Sequence, residues 1–178
     1  MSVALVLVTG ISGAGKSAVC EVLRERGHDA HDMDLDGNAA WAHRATGRHW
    51  PTGVRPDTDA PNWFDQYQWR AVPEKIAALA ARAEDHPVFL CGMTNNGDEV
   101  WQLCSRVVFL TIDERTLRDR IAFRTTNDFG KTATELDAIL ELHDFVEQQH
   151  RDAGATIVDA TLPLDQVVDA VLAASLEV

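Results

Sequence analysis

Residues Gly10–Ser17 read Gly-Ile-Ser-Gly-Ala-Gly-Lys-Ser and follow directly on the apolar run Val3-Ala-Leu-Val-Leu-Val8. A strand that is apolar on both faces, a glycine-rich turn and a helix start leave few ways to fold. The strand must be central in a parallel sheet, and the helix must run back across it. The eight residues also fit G-x-x-x-x-G-K-[S/T], in which inward-facing backbone N–H groups wrap a polyphosphate. The helix beginning near Gly15 aims the positive end of its dipole at the same anion. Lys16 reaches the β- and γ-phosphates, and Ser17 can hold Mg²⁺. A plain strand–turn–helix connection has no use for a lysine at its crowded helix entrance. Gly10, Ser12, Gly13, Ala14, Gly15, Lys16, Ser17 and Ala18 are therefore the expected nucleotide contacts.

The rest of the chain alternates in the same sense. Val3–Thr9 is the first expected strand. Ala14–Arg26 follows as a helix with Val19, Val22 and Leu23 on one face, closed by Gly27. Ala30–Met33 reads as a short second strand and Leu35–Thr46 as a helix. Pro73 suits the first turn of the next helix, where Ile76, Leu79, Ala80 and Ala83 recur at helical spacing. Pro87–Cys91 and Val107–Ile112 are the third and fourth strands. Asp113 caps a helix running to about Phe123, with Leu117 and Ile121 inward. Thr132-x-x-Glu135 is a capping box for a helix carrying Leu136, Ile139, Leu140 and His143 on one face. Thr156–Val158 is the fifth strand, and Leu164, Val167, Val168, Val171 and Leu172 mark the last helix. The expectation is one α/β domain over residues 1–178, three layers deep, with a five-stranded parallel sheet and helices on both faces. Ligands then gather at the carboxyl ends of the strands.

One stretch breaks the alternation. Gly47–Gln66 holds Pro51, Pro56 and Pro61 and reads as a long irregular loop. Trp50, Trp63, Phe64, Tyr67 and Trp69 lie in or beside it. Disordered linkers are poor in aromatics, so the segment is expected to be an ordered flap over a substrate.

Charge narrows the partners. With 16 basic and 28 acidic residues the formal net charge is −12, which repels phosphate backbones and excludes nucleic acid. No apolar run approaches the roughly 20 residues of a membrane span, and the N-terminal one reads as a core strand rather than a signal peptide. Cys20, Cys91 and Cys104 form no metal spacing and suit a reducing cytoplasm. Against this acidic background Arg115, Arg118, Arg120, Arg124 and Lys131 cluster, and the cluster points to an anion site.

Three further groups lie at expected strand ends. Asp32-Met-Asp34-Leu-Asp36 follows the second strand, with Asp32 and Asp34 on one side of it. Phosphoryl transfer needs a group to orient the attacking hydroxyl and a carboxylate near Mg²⁺. Asp34 is the first choice for the hydroxyl, Asp32 for the metal together with Ser17, and Asp36 for a substrate contact; which acid is the base stays open among the three. Gly92-Met-Thr-Asn-Asn-Gly97 follows the third strand, where no aspartate stands, so the second metal motif of large phosphate-loop ATPases is absent. Gly92 allows close approach of a substrate, and Thr94 and Asn95 offer neutral hydrogen bonds. Arg120 and Arg124, four residues apart on one helix face, are suited to binding phosphate or stacking on a ring.

On these residues the chain resembles the small phosphate-loop kinases, such as adenylate, shikimate and gluconate kinases, and their bacterial relatives often labelled AAA-family ATPases. The phosphate loop, the Asp32/Asp34 pair and Asp119-Arg120-Ile-x-x-Arg124 carry the likeness. Arg124-Thr-Thr-Asn-Asp-Phe-Gly-Lys131 is similar to a stretch in the bacterial relatives. The resemblance implies ATP and Mg²⁺ as cofactors and a short lid over 120–133, whereas the substrate flap over 47–66 matches none of the named relatives. It implies that Arg120 stacks on adenine, that Pro163 closes the adenine pocket and that Arg124 reaches the phosphates. Lys16, Asp34 and Arg124 are then the catalytic set. The reaction is transfer of the γ-phosphate of ATP to a small hydroxylated metabolite, nucleoside or nucleotide, with Arg55 on an acceptor anion and Trp63 on a ring. The alternatives are an ATP-binding module without transfer and a toxin-like kinase of sugar-nucleotide precursors. A monomer or homodimer is expected.

Overall fold

The computed structural model describes residues 5–51, 54, 56, 63–125 and 128–176. In chain order the elements are β1 (Leu5–Thr9), α1 (Lys16–Glu25), β2 (Asp29–Asp32), β3 (Ala39–His43), α2 (Trp63–Gln66), β4 (Tyr67–Ala71), α3 (Pro73–Arg82), β5 (Val88–Cys91), α4 (Gly97–Trp101), β6 (Arg106–Thr111), α5 (Glu114–Phe123), α6 (Ala133–Asp152), β7 (Thr156–Asp159) and α7 (Leu164–Leu176). Five strands form one parallel sheet in the order β2-β5-β1-β6-β7. This is the expected phosphate-loop sheet, with β1 at its centre and buried at every described residue.

The two-residue period of β1 sends its side chains into two separate cores. Val6 and Val8 join Val19, Leu23, Leu117, Ile121 and the inner face of α7. Leu5 and Leu7 join Met33, Ile76, Leu79, Leu90 and Val100 on the opposite face. Each such side chain, fully buried, contributes roughly 1.5–3 kcal/mol. Pro73 opens α3 as expected. Asp113 caps α5, accepting from the backbone N–H of Thr116 at 2.9 Å. Thr132 caps α6 by accepting from Glu135 N–H at 3.3 Å, and the Glu135 carboxylate in turn takes the N–H of Gly130 at 3.0 Å.

The helix expected over Leu35–Thr46 is absent. Residues 39–43 are a strand, paired antiparallel with β4 so that Ala39 faces Ala71 and Trp41 faces Trp69. The alanines favour a helix locally, but the partner strand lies almost 30 residues further on and outweighs that preference. Asn38 turns the chain into the hairpin: its side-chain amide donates to Asp32 O at 3.0 Å and its backbone carbonyl accepts from Val72 N–H at 2.8 Å. The expected loop of 47–66 is partly regular. His49 bridges Ala42, Trp50 N–H reaches Trp41 O at 2.6 Å, and Trp63–Gln66 form one helical turn. Gly53, Arg55, Asp57, Asp59, Pro61 and Asn62 of that loop, Val3 of the first strand, and Thr126 and Asn127 of the lid lie outside the described residues. The short helix α4 was not expected in the loop after the third strand. Among the described residues no helix is long and apolar enough to cross a membrane.

Candidate active site

The phosphate loop leaves β1 through Gly10, whose φ of +150° and 2.7 Å approach to Leu110 O, measured from where a Cβ would stand, exclude any side chain. Gly15 then caps α1 in the left-handed region with no side chain bonding the helix N-terminus, so that end stays available to an anion. Ser17, in the first turn, is exposed. Lys16 folds over the loop and donates to Gly10 O at 2.7 Å and Ile11 O at 3.0 Å. Burial pushes its pKa down from the ordinary lysine value, while Asp34 and Asp32 resist that push.

The three acids after β2 have three different environments. Asp32 is buried; its Oδ1 accepts from Asp34 N–H at 2.8 Å and Leu35 N–H at 2.9 Å. Its Oδ2 is buried without a hydrogen-bond partner. Asp34 keeps exposed surface. Loss of hydration raises its pKa above the ordinary carboxylate value, against the opposing pull of Lys16. Its Oδ1 accepts from Trp69 Nε1–H at 2.8 Å. Asp36, expected as a substrate contact, is engaged in the scaffold: it pairs with Arg24 and accepts from Asp32 N–H at 2.8 Å.

The loop after β5 is chiefly a clamp for the hairpin. Asn95 Oδ1 accepts from Trp69 N–H at 2.8 Å, and Asn95 N–H donates to Trp69 O at 2.7 Å. Asn96 Oδ1 accepts from Ala71 N–H at 2.9 Å. The Thr94 hydroxyl is buried without a partner. A Cβ on Gly92 would lie 2.0 Å from Met33 Cβ, so packing against Met33 is what demands glycine there. Trp63 is buried with its ring against Trp41 at 5.0 Å, and Trp41 meets Trp69 at 5.3 Å. Trp69 was missed as a site residue. The signal was present in Tyr67-Gln-Trp-Arg-Ala71, an aromatic alternation that reads as a strand once a partner is known.

Arg120 and Arg124, at the end of α5, both reach the phosphate loop. Arg120 donates to Ala14 O at 3.2 Å and Ala160 O at 2.7 Å, tying the loop to the turn that ends at Pro163. The Pro163 carbonyl accepts from Gln166 and Val167 and starts α7. Arg124 reaches Ser12 Oγ at 3.2 Å and also donates to Phe129 O, while its Nε is buried without a partner. Burial lowers its pKa, opposed by Asp128, Glu135 and Asp34. Lys131 donates to Arg124 O at 2.6 Å and to Ala122 O at 3.3 Å, tying the segment after α5 to the end of that helix. Arg118 instead pairs with Glu114 on the exposed face of α5. Arg55 lies outside the described residues.

The profile of the AAA domain matches residues 6–144, well over half of the chain. No curated protein matches the sequence. Among solved structures, the shikimate kinase from Acinetobacter baumannii in complex with shikimate superposes with a TM-score of 0.60 at 15% identity, covering 99% of this chain and 97% of that one. The gluconokinase from Sinorhizobium meliloti superposes at 0.56 and 22% identity, covering 98% and 92%. The deoxyadenosine kinase from M. mycoides superposes at 0.54 and 13% identity, covering 95% and 97%. All three share the fold described above.

Proposed function

This chain belongs to the AAA-domain family, and from that premise we propose that it is a kinase moving the γ-phosphate of ATP to a hydroxyl of a small molecule. One arrangement carries the reading: Lys16 bonds Gly10 O at 2.7 Å and Arg124 bonds Ser12 Oγ at 3.2 Å on the phosphate loop, and both positive charges bear on the Asp34 carboxylate. A pure nucleotide clamp has no need of a carboxylate there.

The roles follow from chemistry. The loop N–H groups and the free α1 N-terminus hold the β-phosphate, and Lys16 exchanges its carbonyl partners for phosphate oxygens. Arg124 neutralises charge on the migrating phosphoryl group. Asp34, held by Trp69, orients the acceptor hydroxyl and takes its proton as the oxygen attacks the γ-phosphorus. The bond from the γ-phosphorus to its bridging oxygen breaks, and ADP leaves with that electron pair. Arg120 and Pro163 flank the base. The unpartnered Asp32 Oδ2 and the exposed Ser17 hydroxyl fit a nucleotide-borne Mg²⁺. Among the described residues no three His, Cys, Asp or Glu converge to hold a metal unaided. Mg²⁺ supplies charge neutralisation at the β- and γ-oxygens when bound.

The test is ADP release from Mg-ATP across a metabolite library. An acceptor that raises turnover in the wild type and not in Asp34→Asn supports transfer. No acceptor above background, with Asp34→Asn unchanged, leaves a nucleotide-binding module.

A further inference from the structure

Beside the candidate active site a cavity of about 500 Å³ runs between α4 and α6, under the loop after β5. Pockets of roughly 300–1,000 Å³ that are mostly apolar with a few convergent polar groups are typical of small-molecule sites. This one is walled by Leu7, Met33, Met93, Trp101, Leu142 and Val146. It is also lined by Thr9, next to the first glycine of the phosphate loop, and by Thr94, whose hydroxyl is buried without a partner. Asn95, another lining residue, is bonded to Trp69, and Trp69 to Asp34. The cavity thus lies beside the phosphate loop through Thr9 and beside Asp34 through its chain neighbour Met33. Its one carboxylate, Asp98, adds to the negative charge of Asp34 and disfavours an anionic occupant.

Resting on the kinase reading above, we infer that the acceptor is a neutral, ring-bearing alcohol whose apolar ring fills the α4–α6 cavity while its hydroxyl lies at Asp34. The Thr94 hydroxyl supplies a hydrogen bond to a polar atom of that acceptor. Hydroxy acids, with no lysine or arginine among the cavity's lining residues to receive their carboxylate, are disfavoured.

Two panels decide it: neutral ring alcohols (nucleosides, aryl glycosides, phenethyl alcohol) and anionic hydroxy acids (gluconate, shikimate). Binding is read by calorimetry with a non-hydrolysable ATP analogue present, and transfer separately by ADP release. Leu142→Trp narrows the cavity from a half-exposed position and should fold; Val146→Phe narrows it from a buried one. The expected result is binding of a ring alcohol, weakened at least tenfold by Leu142→Trp with nucleotide affinity unchanged. Preference for hydroxy acids, absence of binding in both panels, or affinity indifferent to both variants overturns the inference. Ring-alcohol binding that Leu142→Trp weakens, without ADP release, upholds the cavity assignment and removes the kinase reading.

Discussion

Gly92→Ala separates two uses of the same glycine. A Cβ there would stand 2.0 Å from Met33 Cβ and 2.9 Å from Met33 Cγ. Ordinary carbon contacts need about 3.5 Å or more, so roughly 1.5 Å must be made up. Neither backbone is free to yield: Gly92 N–H donates to Val8 O at 2.9 Å and Met33 N–H to Cys91 O at 2.8 Å. Overpacking of this kind costs about 1–3 kcal/mol. At roughly 2–4 °C per kcal/mol for a domain of this size, the loss is about 2–12 °C in Tm. The assay is thermal and urea denaturation within a double-mutant cycle. Because the clash is with Cβ, Met33→Ala leaves it in place, whereas Met33→Gly removes it. Gly92→Ala should therefore be costly in the wild type and in Met33→Ala, and nearly free in Met33→Gly. An equal cost in all three backgrounds refutes the packing account. So does a Tm unchanged by Gly92→Ala alongside a raised acceptor KM, which would return Gly92 to a direct role against substrate.

Trp69→Phe keeps a ring beside Trp41 but deletes the N–H to Asp34. A hydrogen bond to a charged group is worth roughly 1.5–3 kcal/mol, so kcat should fall about 10- to 100-fold with the KM for ATP unchanged, as steady-state kinetics would read. Arg124→Ala should lower kcat about 10²- to 10³-fold, whereas Arg118→Ala, which breaks only an exposed pair with Glu114, should leave kcat intact and Tm within about 1 °C. Asp34→Asn should abolish transfer yet raise Tm at pH 7. The folded-state pKa of Asp34 is raised by lost hydration, so its contribution to stability is present below the ordinary carboxylate pKa and is lost as pH rises through the raised value. The Tm advantage of the variant should accordingly vanish at about pH 3, and an advantage independent of pH would contradict that origin.

Local chemistry made much of this protein legible in its sequence. The phosphate loop is contiguous, and its glycines, lysine and serine act through backbone geometry that neighbours in the chain dictate. The two-faced burial of β1, the Asp113 and Thr132 caps and the helical period of α3 and α5 are likewise short-range patterns. They sufficed for the five-stranded parallel sheet and for the pairing of Arg120 with Arg124. Tertiary structure alone decided what depends on partners distant in the chain. Ala39–His43 became a strand because Tyr67–Ala71 is there to pair with it, overriding a local helical preference. The Asp-x-Asp-x-Asp run was divided by its surroundings: Arg24 engages Asp36, burial leaves one Asp32 oxygen unpartnered, and Trp69 holds Asp34. Gly92 and Asn95 read as substrate groups in isolation, and the fold adds a second task for each, Gly92 packing on Met33 and Asn95 bonding Trp69. Hydrophobic period and turn chemistry are properties of a segment, whereas the environment of a side chain belongs to the whole fold.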